Sequence, residues 1–349
     1  MAAKNRENPK AATIVDVARE AGVSPRTVSR VMNENGYVNP GTEERIRAAI
    51  EKLNYRPNRA ARSLVSSRSR VIGLVIPDIN NLFFPEVVLG IEHAATEHDY
   101  VVFTFNTSLS AEKEEEAYRF LNEHRADGMI VYFPSRLTRE KLTEVLKYQR
   151  AAVLVDAEPM GDLAGVVRVD SYGAARTAVE HLVATGCRSL GYVSRQKSHF
   201  LAFKDRYRGV METAARLGVP IVAQEYMSDD KFIVNDGHFA THKLLAEHPE
   251  IDGLICFNDM IAYGAMQACD DLGISIPDQM AIIGFDDLRL SSFPRISLTT
   301  LRLPKFEIGA EAVNLLFQRL EGSDSPQDIV IRAELIERGS TRPRKDVLP

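Results

Sequence analysis

Arg26 and Arg30 stand four residues apart in the segment SPRTVSRV, residues 24–31. On a helix that spacing puts both guanidinium groups on one face. An arginine displayed in this way donates bidentately to O6 and N7 of guanine, a contact worth ~1–3 kcal/mol of base discrimination, or it clamps a phosphate oxygen and reads no sequence. The rest of the chain is poor in reactive chemistry. G-x-G-x-x-G, the Walker A loop, H-E-x-x-H and G-x-S-x-G are all missing, and no Gly-Lys pair occurs. The three cysteines, Cys187, Cys256 and Cys269, have neither C-x-x-C spacing nor histidines in a ligand pattern. No disulfide framework, metal or cofactor is expected, and the chain does not read as an enzyme. Asp170, Asp259, Asp286 and Asp287, each taken alone, suit loop and cap positions of an α/β protein.

Three short helices must position the two arginines. Ile14, Val17, Ala18 and Ala21 recur at helical spacing over Ile14 to Glu20, and Gly22 supplies a left-handed cap. Ser24 is a good N-cap with Pro25 at the first helical position, and Val28, Val31 and Met32 give the second helix one apolar face. Thr42 is expected to cap a third helix carrying Ile46, Ala49, Ile50 and Leu53. Two helices joined by a Gly-containing turn form the helix-turn-helix arrangement. Charge agrees: Met1 to Arg70 hold 14 Lys+Arg against 7 Asp+Glu, so the remainder of a chain of net charge −5 carries −12. A basic head on an acidic body suggests nucleic acid at one end, although a basic run also serves as a solvated face.

Beyond a polar linker at Tyr55 to Arg70, short β-rich runs alternate with amphipathic stretches. The strands are expected at 71–76, 101–105, 128–133, 152–156, 190–194, 253–257 and 281–285, and the helices at 86–98, 111–124, 172–185, 204–217, 236–247, 259–272 and 305–320. Such alternation implies an α/β fold of parallel sheets with crossover helices, and this many strands calls for two lobes with a cleft between them. The start MAAKNRENPK is polar and no stretch reaches the roughly 18 uninterrupted apolar residues of a membrane helix. A soluble, unexported, cytoplasmic protein is expected.

The stretch 13–58, through D-V-A-x-x-A-G-V-S-x-x-T-V-S-R-V and its R-P-N-x-x-A-R-x-L continuation, resembles the headpiece of the lactose repressor/galactose repressor (LacI/GalR) family of bacterial transcription regulators. The resemblance extends to near Arg342. It implies an all-α helix-turn-helix headpiece over 1–57, a hinge helix and linker over 58–70, an effector-binding and dimerisation domain over 71–343, and a tail over 344–349. The large domain is expected to be a periplasmic-binding-protein-like body, with lobe 1 about 71–168 and 300–328 and lobe 2 about 169–299 and 329–343. A recognition helix enters the major groove through its N-terminal half. Thr13, Ser24, Pro25, Arg26, Thr27, Ser29 and Arg30 are therefore expected at DNA, Pro25 departing from relatives that carry a polar base reader there. In the hinge, Asn58, Arg59, Ala61, Arg62 and Leu64 match the family's minor-groove helix, with Leu64 the wedge between base steps.

The same resemblance places an effector pocket at Asp78, Asn80, Phe83, Phe84, Asp170, Arg206, Phe232, Asn258, Asp259 and Asp286. Aromatic faces suit the apolar side of a sugar ring, and Arg, Asn and Asp suit its hydroxyls, while the phenylalanines also fit a core role. Phe200, Leu201 and Ala202 stand where the purine-repressor branch has two polar residues, which disfavours a purine. The expected function is repression by a homodimer on a palindromic operator in double-stranded DNA, with affinity controlled by a small polar effector, a sugar or sugar phosphate. The alternative effector is a phosphoprotein partner, as in the catabolite-control branch. The tail TRPRKDVLP lacks the leucine heptads of a tetramerisation helix, so a dimer is expected.

Overall fold

Val71–Ile76 is apolar at nearly every position, which suits a strand covered on both faces, and it forms β1, the fifth strand in the order of a six-stranded parallel sheet. The computed structural model describes residues 12–32, 36–56, 68–133, 138–194, 200–225, 234–322 and 328–341. It divides the chain into two units, Met1–Ser69 and Arg70–Pro349.

In the first unit α1 (Ile14–Ala21), α2 (Pro25–Met32) and α3 (Pro40–Lys52) close around Val17, Ala18, Ala21, Val28, Val31, Ile46 and Ala49. Gly22 takes φ 65° and ends α1 as its left-handed cap. The third helix starts two residues before the expected cap. Asn39 Oδ1 accepts from the Gly41 amide at 3.0 Å, and Pro40 occupies the first turn, where its missing N–H costs nothing. Thr42 is thus inside the helix.

The second unit holds two six-stranded sheets. Lobe 1 is ordered β11-β5-β4-β3-β1-β2 and is wholly parallel; lobe 2 is ordered β12-β10-β9-β8-β6-β7, with only β12 antiparallel. The lobe 1 strands after β1 are β2 (Val101–Asn106), β3 (Gly128–Tyr132), β4 (Ala152–Val155), β5 (Gly165–Val169) and β11 (Asp328–Ile331). Those of lobe 2 are β6 (Leu190–Ser194), β7 (Ile221–Glu225), β8 (Gly253–Cys256), β9 (Ala281–Asp286), β10 (Thr299–Arg302) and β12 (Glu334–Ile336). Lobe 1 carries α4 (Phe84–Glu97), α5 (Ala111–Glu123), α6 (Arg139–Leu146) and α11 (Lys305–Leu320); lobe 2 carries α7 (Ser171–Ala184), α8 (Leu201–Leu217), α9 (Val234–Glu247) and α10 (Asp259–Asp271). The chain passes between lobes after β5, after β10 and after β11. Each sheet is covered on both faces, so each lobe has two cores. No described helix is long and apolar enough to cross a membrane.

Candidate functional site

Thr13 and Asp16 close a capping box. The Thr13 amide and hydroxyl donate to Asp16 at 2.9 and 2.7 Å, and those bonds, the side-chain one first, hold the Asp16 carboxyl below its usual range. Ser24 Oγ accepts from the Thr27 amide at 3.2 Å and starts α2. The helix then buries Val28 and Val31 in the headpiece core, so Arg26 and Arg30 lie on its opposite, exposed side. Ser24 and Pro25 are exposed as well, and Thr27 and Ser29 are half-buried. The helix therefore presents two guanidinium groups and a hydroxyl on a basic unit, an arrangement fit for the edge of a duplex. Tyr37, 85% exposed in the turn that follows, escaped the sequence reading. Its only signal is an aromatic residue among turn formers. The hinge positions Asn58, Arg59, Ala61, Arg62 and Leu64 lie outside the described residues.

In the body, the strands' carboxyl ends deliver polar groups to the junction of the lobes. Arg206, in the second turn of α8, is 4% exposed. Its guanidinium lies 4.5 Å from the ring centres of both Phe257 and Phe285 and donates to the Phe257 carbonyl, while Nε is buried without a partner. Asp286 ends β9, also 4% exposed, with φ 109°. Burial pushes its carboxyl up to about 8, against the pull of Arg206 and Lys305 and with a further push from Asp259 and Asp156. Asp156, just past β4, accepts from the Val169 amide at 3.0 Å and from the Tyr132 hydroxyl at 3.1 Å, and burial raises it too. Arg206, Asp286, Asp156 and Tyr132 thus form one electrostatic cluster, of which the sequence reading had named the first two.

Rings bridge the lobes beside this cluster. Phe84 meets Tyr132 edge to face at 5.2 Å and Phe133 at 6.3 Å; Phe133 lies 5.0 Å from Phe200, and Phe203 stacks on Phe257 at 3.6 Å. Phe83 and Phe84 are both buried in the lobe 1 core. The remaining expected residues serve nearer neighbours. Asp78 Oδ1 accepts from the Asn80 amide and side chain, both at 3.0 Å. Asp170 caps α7 through the Gly173 amide at 2.8 Å, at the first crossing, and Asn258 caps α10 through the Ile261 amide at 3.0 Å. Asp259 is fully buried and accepts from the Leu288 amide and from Ser291 and Thr300, at 2.8, 2.6 and 2.6 Å. Its role on this geometry is to tie β10 and the 288–291 loop to α10. Burial raises it to about 6. Phe232 lies outside the described residues. The residues that sequence reasoning missed, Tyr132, Asp156 and Lys305, carried at best a weak signal: Asp156 and Tyr132 sit at the ends of apolar runs.

Chemically, the cluster offers one aromatic-sandwiched cation, two buried carboxyls and ring faces, a set that binds hydroxyls and has no nucleophile beside a base. Comparisons with known proteins agree with both units. Residues 13–58 match the family described as "Bacterial regulatory proteins, lacI family", and residues 179–341 match "Periplasmic binding protein-like domain". The chain is 33% identical to the HTH-type transcriptional regulator RegA of Clostridium saccharobutylicum over 95% of this chain and 99% of that one. It is 37% identical to the ribose operon repressor of Halalkalibacterium halodurans over 88% and 90%. The lac repressor dimer bound to operator and the anti-inducer ONPF superimposes with a TM-score of 0.85 at 26% identity, over 95% of this chain and 100% of that one. A helix-turn-helix with an exposed arginine face, a two-lobed body and full-length likeness to regulators lead to one conclusion: the chain belongs to the lacI family of bacterial regulatory proteins and is a DNA-binding transcription regulator.

Proposed function

We propose that this protein is a cytoplasmic repressor, without enzymatic activity, that binds a palindromic operator as a homodimer and changes its grip when a sugar or sugar phosphate enters the cleft. The observation that carries the effector reading is the meeting of Arg206 and Asp286 beside the Phe257 ring, in the aromatic group of Phe133, Phe200, Phe203 and Phe257 that bridges the lobes. A buried donor and acceptor beside aromatic faces select a hydroxylated ring and reject analogues that leave them unpaired. The name of the ribose operon repressor points the same way. The dimer reading draws on the lac repressor likeness and on exposed apolar side chains of lobe 1, namely Leu89, Val101, Phe103 and Phe306.

The domain plan is the headpiece over 1–57, the hinge over 58–70 with Leu64 as the minor-groove wedge, and the body over 71–343. Effector in the cleft favours one relation of the lobes, and that choice shifts the population able to hold DNA. The coupling is typically ~1–3 kcal/mol. A thermal-shift series of free sugars and their phosphate esters, followed by band shifts on duplex DNA with each stabilising compound, tests the proposal. A stabilising sugar should alter operator affinity five- to about a hundredfold, the range of that coupling. Stabilisation without any change in DNA binding would refute the effector role.

A further inference from the structure

Lys305 is 3% exposed, although it is the first residue of α11. Lysine is seldom buried so fully unless its ammonium is paired. Nζ donates to the Asp286 carbonyl at 2.6 Å and to the Asp287 carbonyl at 3.2 Å, and Glu86 of α4 stands 3.5 Å away. Both acceptors belong to residues with positive φ, 109° at Asp286 and 49° at Asp287. Side-chain-bearing residues rarely adopt that backbone and keep it only where the surroundings impose it.

Lobe 2 fixes the rest of this turn. Asp287 is gripped by Arg302 at 2.7 Å and Arg338 at 2.6 Å, its amide donates to Thr300 at 3.3 Å, and the Leu288 amide donates to Asp259. The two carbonyls, by contrast, are held from the start of a lobe 1 helix. That helix is not free to yield. A Cβ at Gly90 of α4 would collide with the Phe306 carbonyl, and one at Gly309 of α11 would collide with the Val87 carbonyl, so the two helices touch backbone to backbone.

We propose that Lys305 is a positioning residue for the effector site: its buried ammonium fixes the strained Asp286–Asp287 turn, aims Asp286 at the cleft beside Arg206, and ties the setting of that turn to the α4–α11 pair of lobe 1. The proposal rests on the effector reading of the cleft. Only a donor with several N–H groups, reaching from α11, serves two adjacent carbonyls at once. A ligand that bonds Asp286 therefore acts on a turn whose other side is lobe 1, and a change in how the lobes meet is felt at the same carboxyl.

The test is Lys305→Met in the full chain, with Lys305→Arg as the variant that keeps charge and donors. Hydrogen exchange at residues 286–289 should quicken at least about tenfold in the Met variant while β1 keeps its protection, as expected when a charged hydrogen bond is lost locally. Affinity for whichever of D-ribose, D-xylose, D-glucose, cellobiose or their phosphate esters stabilises the wild type should fall by a factor on the order of ten to a hundred, and the Arg variant should recover part of both losses. Wild-type exchange at 286–289, or equal quickening there and in β1, would overturn the proposal. If Lys305→Met does not fold, Lys305→Gln takes its place with the same deciding outcomes. Should neither these four sugars nor their phosphate esters bind the wild type, the sugar reading of the cleft fails, while the exchange comparison still decides whether Lys305 holds the turn.

Discussion

A carboxyl withdrawn from water keeps its proton, and this chain contains several that do. Asp286 lies at about 8, Glu114 at about 7 and Asp259 at about 6, each raised chiefly by burial. Asp287, next in the chain, is pushed up by burial too, but hydrogen bonds from Arg302 and Arg338 bring it below its usual value. A raised acid binds more protons folded than unfolded. Its contribution is present below the unfolded value near 4 and is lost as pH climbs to the folded one. Stability should therefore fall between about pH 4 and pH 8 through these groups. Denaturant melts at half-unit steps, with Asp286→Asn beside the wild type, read this directly: the variant should show the shallower decline, and an identical slope would place the Asp286 proton elsewhere. For binding, Arg206→Ala should weaken the sugar that stabilises the wild type by roughly ten- to a hundredfold, the value of a charged hydrogen bond. Equal affinity in calorimetry would remove Arg206 from the site. The family resemblance made Arg206 and Asp286 visible as pocket residues in the sequence. The sequence could not show Tyr132 or Asp156, whose importance lies in being enclosed with them, because enclosure depends on segments distant in the chain.

At the scale of elements, the long periodic helices were legible to within three residues, because an apolar stripe repeats over several turns. Failures fell on short pieces. β5, β7, β10, β11 and β12 have three to five residues, each with a polar or charged side chain that breaks the apolar run, and the eight-residue α6 buries only Leu142 and Leu146. The start of α3 failed for a different reason. Both Asn39 and Thr42 are good caps, and the choice between them was made by Pro40, whose fixed φ suits a first turn. Asn39→Ala should cost on the order of 1 kcal/mol of headpiece stability, and Thr42→Ala within ~0.5 kcal/mol of nothing. Thermal melts of the two variants decide it, since the reverse order would move the cap back to Thr42.

For the whole molecule, the alternation of strands and helices told of two parallel sheets, whereas the three passages between them came with the family resemblance and its lobe boundaries. What alternation cannot tell is where two copies of the chain meet, since self-association is written in surface shape. The edge strand β2 leaves Val101 and Phe103 exposed, and α4 and α11 leave Leu89 and Phe306 exposed. Apolar groups on one lobe in this number suit a partner of the same kind, and a closed pair brings two headpieces to one duplex with two-fold symmetry. The operator should then be a pseudo-palindrome whose half-sites lie about one helical turn, or a multiple of it, apart. Footprinting should show matched protection on both sides of a central step, and the footprint should contract to one weak half-site when Phe103→Glu breaks the pair. Salt offers an independent reading: a dimer neutralising twice as many phosphates has about twice the slope of log affinity against log salt shown by the monomeric variant. A single asymmetric footprint from wild-type protein, together with a monomer in sedimentation at the same concentration, would defeat the dimer and leave the headpiece as a lone reader of half a site.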